Sequence, residues 1–557
     1  MTASRIVFCL CDPFGRRREG PGGFSFFTKI CTGGSSKTSS ETSSIRPFPV
    51  RSHPFGRVVF DFFQSNQDHR KTCETQGKMR IRRQCNAAEG FAESRSGWAN
   101  QSNPDNWLHT FDLFSFARSN SKGVGGSNIQ PWFTRRSKRL MNYREAVDFL
   151  YQLQSFGTTL GLERTFKLAE LAGRPQDKLR FIHVAGTNGK GSTCAMLESI
   201  YRHAGYRVGL FTSPHLISFA ERIQVNRQLI LEKEVARLVT EMRQLMSQLP
   251  AEFSPTLFEV VTVMALRWFA EQKCDLVIWE TGLGGRLDAT NIVTPLASVI
   301  TNIQLDHEKW LGHTLAQIAR EKAGIIKPGV PVITGVEEEE AWKVIKATAE
   351  RVGAPVHRLG IKNRFKPSLL GSHQVKNAQL AVATTQALVF SLPSGADALI
   401  RRALQDVNWP GRFDLRGRFI FDGAHNPAGA KALRESIEAH FKSVKPTFIV
   451  GILADKDVTG MAREFAKVAG QILTVSVQSN RAMDALELAK QFSAIAPEVP
   501  VRACLSLEDA LDAAENSDRI VITGSLHFIG EAMEFLGFEA GTGPSERALN
   551  DWSAKPK

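Results

Sequence analysis

The sequence predicts two α/β units in tandem, the first larger and opening on a phosphate-binding turn. Three observations carry this expectation. From residue 181 onward, short β-branched apolar runs alternate with amphipathic stretches. The alternation runs through two series, separated by Trp409-Pro410-Gly411. A glycine-rich turn follows the first apolar run directly and leads into a helical pattern. Strand–helix alternation of this kind argues for parallel sheets covered on both faces.

The strands of the first series are read at 181–185, 207–211, 275–280, 297–302 and 331–334. Each is short, rich in Val, Ile or Phe, and bounded by turn residues. Between them, 193–204, 232–249 and 257–271 carry apolar residues at helical spacing. The second series is read at 419–422, 447–451, 471–475, 501–504 and 519–523, again with helices interleaved. Trp409-Pro410-Gly411 reads as the linker between the two. No repeat of solenoid length is found.

Composition bounds the function. The 557 residues are 42% hydrophobic and 23% charged, as in a globular protein, and are too many for one ordinary domain. No apolar run approaches the ~18 residues that span a bilayer, and the first thirty residues lack a signal-peptide core. Eight cysteines in so long a chain make no disulfide framework, which suits a reducing, cytoplasmic setting. The net charge of +14 invites a nucleic-acid reading, but its distribution opposes it. Residues 1–140 hold 22 Lys and Arg against 10 Asp and Glu, whereas the remainder holds 48 against 46. Those first 140 residues are also rich in Ser and Gly and show no apolar period, so they read as a disordered or mistranslated extension, with Met141 the natural start. A transit peptide is the alternative, which ten acidic residues fit poorly. The expected division is 1–140, 141–410 and 411–557.

Phe181-Ile182-His183-Val184-Ala185 is a buried-strand pattern, and Gly186-Thr187-Asn188-Gly189-Lys190-Gly191-Ser192 follows it. A strand, a glycine turn and a helix start aim successive backbone N–H groups at one point, which suits a polyphosphate. Lys190 would stand by the β/γ-phosphates and Ser192 could support a magnesium ion. The spacing departs from GxxxxGK[ST], with two residues between Gly186 and Gly189 and with Gly191 between lysine and serine. An ordinary glycine-rich turn is the bland alternative.

Three further candidates sit at predicted strand ends: Ser213, Glu280 and His307. Hard oxygen donors with one imidazole suit Mg²⁺ or Mn²⁺. Taken singly they also read as a capping serine, a surface glutamate and a core histidine.

This loop resembles that of the Mur-ligase superfamily, ATP-dependent enzymes that form amide bonds. Within it the chain closely resembles the folylpolyglutamate synthase/dihydrofolate synthase family over 141–540. Family blocks recur in order: Ser213-Pro214-His215-Leu216 with Glu221-Arg222, Phe258-Glu259, Glu280 to Asn291, and Leu305-Asp306-His307. After them stand Arg320 to Ile325, His373 to Asn377, Gly411-Arg412-Phe413, Asp422 to Pro427, Asp455-Lys456-Asp457 and Gly524-Ser525-Leu526. The resemblance implies a Mur-ligase-like ATPase domain followed by a smaller Rossmann-like domain. It implies an acid–amino-acid ligase joining L-glutamate to dihydropteroate, to reduced folyl-polyglutamates, or to both, through an acyl phosphate. ATP would be co-substrate, with two Mg²⁺ sites and K⁺ as a further cation, in a monomer with no nucleic-acid or membrane partner.

By the same resemblance, Gly186, Thr187, Asn188, Gly189, Lys190, Gly191, Ser192, Asn377, Arg412 and Asp422 bind ATP. Ser213 and Glu280 hold the nucleotide's magnesium, and His307 a second one. Lys322 is carbamylated in the family and shares that second metal; its bland reading is a solvated lysine at a helix end. Lys190, His307 and Lys322 are the candidate catalytic residues. Thr256, Leu257, Phe258, Glu259, Leu287, Asp288 and Ala289 match positions that hold a pterin. Physically, Phe258 could stack on a flat heterocycle and Asp288 could accept from its N–H groups; a Phe258 buried in the core is the alternative. The nearest rival function is a superfamily ligase acting on UDP-muramyl peptides. A nucleic-acid-binding protein or P-loop regulator is the rival from another class, and the nearly neutral folded part opposes it.

Overall fold

The computed structural model describes residues 139–154, 161–360, 365–388, 392, 395–538 and 544–550. The expectation for the first 140 residues therefore lies almost wholly outside the described residues.

Strands β1 (Phe181–Ala185), β2 (Val208–Phe211), β3 (Ile223–Val225), β4 (Gln228–Leu229), β5 (Leu276–Glu280), β6 (Ala297–Ile300), β7 (Val332–Thr334) and β8 (Val356–Arg358) form one sheet, in the order β4-β3-β2-β5-β1-β6-β7-β8. Strands β9 (Asp414–Arg416), β10 (Phe419–Asp422), β11 (Thr447–Val450), β12 (Gln471–Thr474), β13 (Val501–Ala503) and β14 (Ile520–Thr523) form a second, in the order β13-β12-β11-β14-β10-β9. Every strand read from the sequence is present, most of them a residue or two shorter.

The central strands read as continuous apolar runs because both faces are covered. Along β1, Phe181 joins the core under helices Glu232–Met246 and Leu257–Glu271, while Ile182 and Val184 join the core under Lys190–His203. Val277 and Trp279 against Leu276 and Ile278 divide β5 in the same way.

Fully parallel sheets were the expectation, and both edges correct it. The β2–β3, β3–β4 and β9–β10 pairs are antiparallel. The β3–β4 hairpin turns on Asn226 and Arg227, both with positive φ. Its strands and β8 and β9 are too short to show a period, so only tertiary pairing reveals them. The helix expected at 193–204 starts at Lys190, because Gly189 in the left-handed region already serves as its N-cap.

Candidate active site

β1 lies between β5 and β6, and the chain leaves it on one side toward β2 and returns on the other as β6. Such a switch point opens a crevice at the carboxyl ends of the strands. A cleft of about 1560 Å³ lies there, lined from both sheets' units. Ser213 after β2, Glu280 ending β5, the turn after β1 and His307 after β6 all line it, in the lateral order of their strands.

The loop is held from beneath. Thr187 N donates to Asn302 O (3.0 Å) and Asn188 N to Asn302 Oδ1 (2.8 Å). Thr301 Oγ1 donates to Asn188 O at 2.7 Å. Gly186 has no room for a Cβ, which would strike Thr301, and Gly189 has a φ of 80° with Asn377 against it. Helix Lys190–His203 has no side-chain cap, so its first N–H groups face the cleft unpaired by any side chain. Lys190 Nζ folds back onto Thr187 O at 3.2 Å. Gly191 and Ser192 line the cleft beside it.

Glu280 is 3% exposed and accepts from Ser213 N at 3.1 Å. Burial pushes its carboxyl up to about 7, against the pull of Lys190, Arg412 and Arg222 nearby. His307 adopts a left-handed φ of 53°, with its imidazole neutral because burial lowers its pKa to about 3. Lys322 is 4% exposed and donates to Gly186 O at 2.8 Å, so the solvated-lysine reading is wrong. Burial first, then the positive charge of Lys190, lowers its amine to about 7.

These groups test the expected metals. One buried carboxylate and one hydroxyl, completed by phosphate oxygens and water, are the donor set that Mg²⁺ favours. Ser213 and Glu280 fit it. Among the described residues no group of three His, Cys, Asp or Glu side chains stands ready for a metal. A protonated Lys322 would repel a second cation, whereas its carbamate would turn that repulsion into attraction beside His307.

Thr256, Leu257, Phe258, Glu259, Leu287, Asp288 and Ala289 all line the cleft, and three of them also hold local structure. Thr256 Oγ1 accepts from Glu259 N (3.4 Å), and Glu259 Oε2 accepts from Thr256 N (2.7 Å), a capping box on helix Leu257–Glu271. Glu259 also pairs with Arg164 at 3.0 Å. Helix starts leave N–H groups without partners, and these two side chains are spent on that need. Asp288 Oδ2 accepts from Leu283 N (2.7 Å), and Oδ1 from Thr290 N (3.0 Å) and the Thr290 hydroxyl. Its carboxylate thus ties the 283–290 loop together while it lines the cleft. Phe258 is half-buried, lies 6.0 Å from Phe211 and keeps one face on the cleft, with Leu257, Leu287 and Ala289 alongside.

From the second unit, Arg412 Nη1 donates to Gly411 O at 3.3 Å and lines the cleft with Asp422 and Asn377. Asp422 accepts from Phe413 N (2.8 Å) and Ala424 N (2.9 Å), so the ten-residue Arg412–Asp422 connection closes as the tight β9–β10 hairpin. Asn377 Nδ2 donates to Gln374 Oε1 at 3.0 Å.

The residue-by-residue reading assigned no role to a set of contacts that joins the two units across the cleft. Asp306 accepts from Lys456 Nζ (2.8 Å) and Asn426 Nδ2 (3.0 Å), with His425 Nε2 at 3.3 Å. The hydrogen bond from His425 and the charge of Lys456 hold its carboxyl well below the usual range despite burial. Asn188 and Asn426 exchange amide hydrogen bonds at 3.1 and 3.2 Å. Each of these residues stands inside a block quoted above, which was the available signal.

Comparison with known proteins agrees with this arrangement. Residues 184–366 match the Mur ligase middle domain, and residues 411–526 the Mur ligase glutamate ligase domain. The dihydrofolate synthase/folylpolyglutamate synthase of Bacillus subtilis (strain 168) is 37% identical over 432 residues, covering 71% of this chain and 99% of the relative. The Escherichia coli (strain K12) enzyme of the same name is 33% identical, over 70% of this chain and 94% of its own. The Escherichia coli FolC structure in complex with DHPP and ADP superposes with a TM-score of 0.64 at 32% identity, covering 72% of this chain and 98% of that one. The Mycobacterium tuberculosis folylpolyglutamate synthase complexed with ADP and AMPPCP gives 0.66 at 31%, covering 71% and 99%. With both Mur ligase domains matched and the Bacillus subtilis and Escherichia coli relatives 37% and 33% identical over nearly their whole lengths, the chain belongs to the dihydrofolate synthase/folylpolyglutamate synthase family of Mur ligases.

Proposed function

We propose that this ATP-dependent ligase joins L-glutamate to the carboxylate of dihydropteroate, of reduced folyl-polyglutamates, or of both. The carrying observation is the convergence of an uncapped phosphate-loop helix and the Glu280–Ser213 pair on one cleft that the second unit also lines, with the buried Lys322 amine holding Gly186 O of the loop. A carboxylate oxygen of the acceptor attacks the γ-phosphorus of ATP, and ADP leaves. The glutamate amine then attacks the acyl carbon, phosphate leaves, and the amine proton passes to solvent. Gly186 to Ser192 cradle the phosphates, Lys190 and Arg412 meet their charge, and Asn377 and Asp422 flank the nucleotide. Ser213 and Glu280 would hold Mg²⁺, which offsets phosphate charge when bound. His307 and carbamylated Lys322 would hold a second. We assign no residues to K⁺. Phe258, Leu257, Leu287 and Ala289 form the apolar wall for the pterin, and Asp288, Thr256 and Glu259 its polar edge.

We further propose 141–410 and 411–557 as the working domains of a cytoplasmic monomer without a nucleic-acid partner. Among the described residues no helix is long and apolar enough to cross a membrane.

The test is phosphate release with Mg-ATP and L-glutamate, offering dihydropteroate, tetrahydrofolate or a UDP-muramyl peptide. Release with both pterin-based acceptors supports the bifunctional reading, and with tetrahydrofolate alone a polyglutamate synthase. Release with the muramyl peptide only would overturn the proposal.

A further inference from the structure

The chain returns to the first unit after the second is complete. Residues 544–550 lie beyond helix Leu526–Phe535, yet Leu549 is 2% exposed and belongs to the core beneath helix Leu257–Glu271. Glu546 is equally buried. Its Oε2 accepts from Phe219 N at 2.7 Å and from Ser218 Oγ at 3.2 Å, and its main-chain O accepts from His215 Nε2 at 2.8 Å. Asn550 makes two bonds in opposite senses. Its Oδ1 accepts from Arg222 Nη2 at 2.6 Å, and its Nδ2 donates to His215 O at 2.9 Å.

These contacts form one consistent network. Arg222 Nε donates to His215 Nδ1 at 2.8 Å, so the ring proton sits on Nε2, where Glu546 O receives it. The hydrogen bonds of the buried guanidinium to His215 and Asn550 go to neutral atoms, while the Glu221 and Glu280 carboxylates nearby attract its charge without a direct ion pair. Arg222 and Phe219 line the cleft, and Leu549 and Asn550 line it beside them. The segment they secure begins at Ser213, next to Glu280.

We propose that Glu546, Leu549 and Asn550 are positioning residues for the acceptor side of the cleft. They complete its wall and aim the Arg222 guanidinium at the anionic end of a carboxylate-bearing acceptor. They do not touch the nucleotide's phosphate loop. This inference rests on the ligase reading above for its substrate, and on geometry alone for the positioning.

Two full-length variants, Asn550→Ala and Glu546→Gln, test it by steady-state kinetics and by hydrogen exchange. Asn550→Ala should raise the acceptor KM about tenfold, the worth of one charge-assisted hydrogen bond, with the KM for ATP unchanged within about twofold. Amides of 215–222 should exchange faster in both variants, while those of 186–193 keep wild-type protection. Unchanged exchange at 215–222 would overturn the positioning role, as would equal shifts in the KM for ATP and for acceptor. A wild type that turns over no acceptor would remove the substrate reading; exchange would then decide the tail's role by itself.

Discussion

The turn after β1 and the turn after β10 are the same supersecondary unit, a strand with neighbours on both sides running into a helix. They differ at the helix start. Helix Lys190–His203 begins at Gly189 with no side-chain cap, whereas helix Pro427–His440 is capped by Asn426 Oδ1 on Gly429 N at 2.8 Å, with Pro427 at its first turn. An uncapped start keeps its N–H groups for an anion; a capped one has spent them. The second turn acts through side chains instead, with Asn426 and His425 reaching Asn188 and Asp306. One fold element thus becomes a phosphate cradle or an inter-unit clasp according to whether its first residue can cap.

Lys190→Ala attacks the cradle and should have the largest effect. Phosphate release in the glutamate assay should fall about 10²–10³-fold, as for loss of one preorganised charge contact. A fall below threefold would break the comparison, since the loop would not be the phosphate site.

Asp306→Asn attacks the clasp. The Lys456–Asp306 pair is buried on both sides, and removing one partner of such a pair costs about 3 kcal/mol. Because the Asp306 pKa is depressed, its contribution is present above the ordinary carboxylate range and fades as pH falls through the folded value. Denaturant melts of mutant and wild type should therefore differ at neutral pH and converge in acid.

Lys322→Met sharpens the cradle further, with a loss of about a hundredfold if the residue supports charge at the transferring phosphate. Only the neutral amine adds CO₂, and burial lowers this amine to about 7. Stimulation by bicarbonate should thus be complete above pH 7 and decline below it. A ¹³C carbamate signal from labelled CO₂, absent in the variant, is the direct check.

Asn426→Ala should have the smallest effect, about 2 kcal/mol of thermal stability, because the cap is lost together with the hydrogen bonds to Asn188 and Asp306. Nucleotide stoichiometry should stay at one per chain, because uncapping alone supplies no glycine turn. A second bound nucleotide by calorimetry would show that capping was all that separated the two turns.

Legibility followed range. Strand–helix alternation and the glycine turn depend on neighbours in sequence, so the central strands of both sheets were readable. The edges β3, β4, β8 and β9 exist only through pairing and were not. At the site, Glu280 and Asp288 look alike as acidic residues near strand ends. One accepts a single backbone hydrogen bond, from Ser213, and the other accepts from Leu283 and Thr290 within its own loop. Thr256 and Glu259 matched pterin-site positions, although their (i, i+3) spacing was also that of a capping box.

By itself, the sequence determined the kind of elements, the phosphate loop and the family, because periodicity, turn chemistry and ordered motifs are local properties of the chain. Only the tertiary structure decided that Ser213, Glu280 and His307 share one cleft, which backbone groups each carboxylate accepts from, and that residues 546–550 return to secure the 213–222 segment. Those outcomes depend on which hydrogen-bond partner lies nearest in space, and in several cases that partner is more than a hundred residues away.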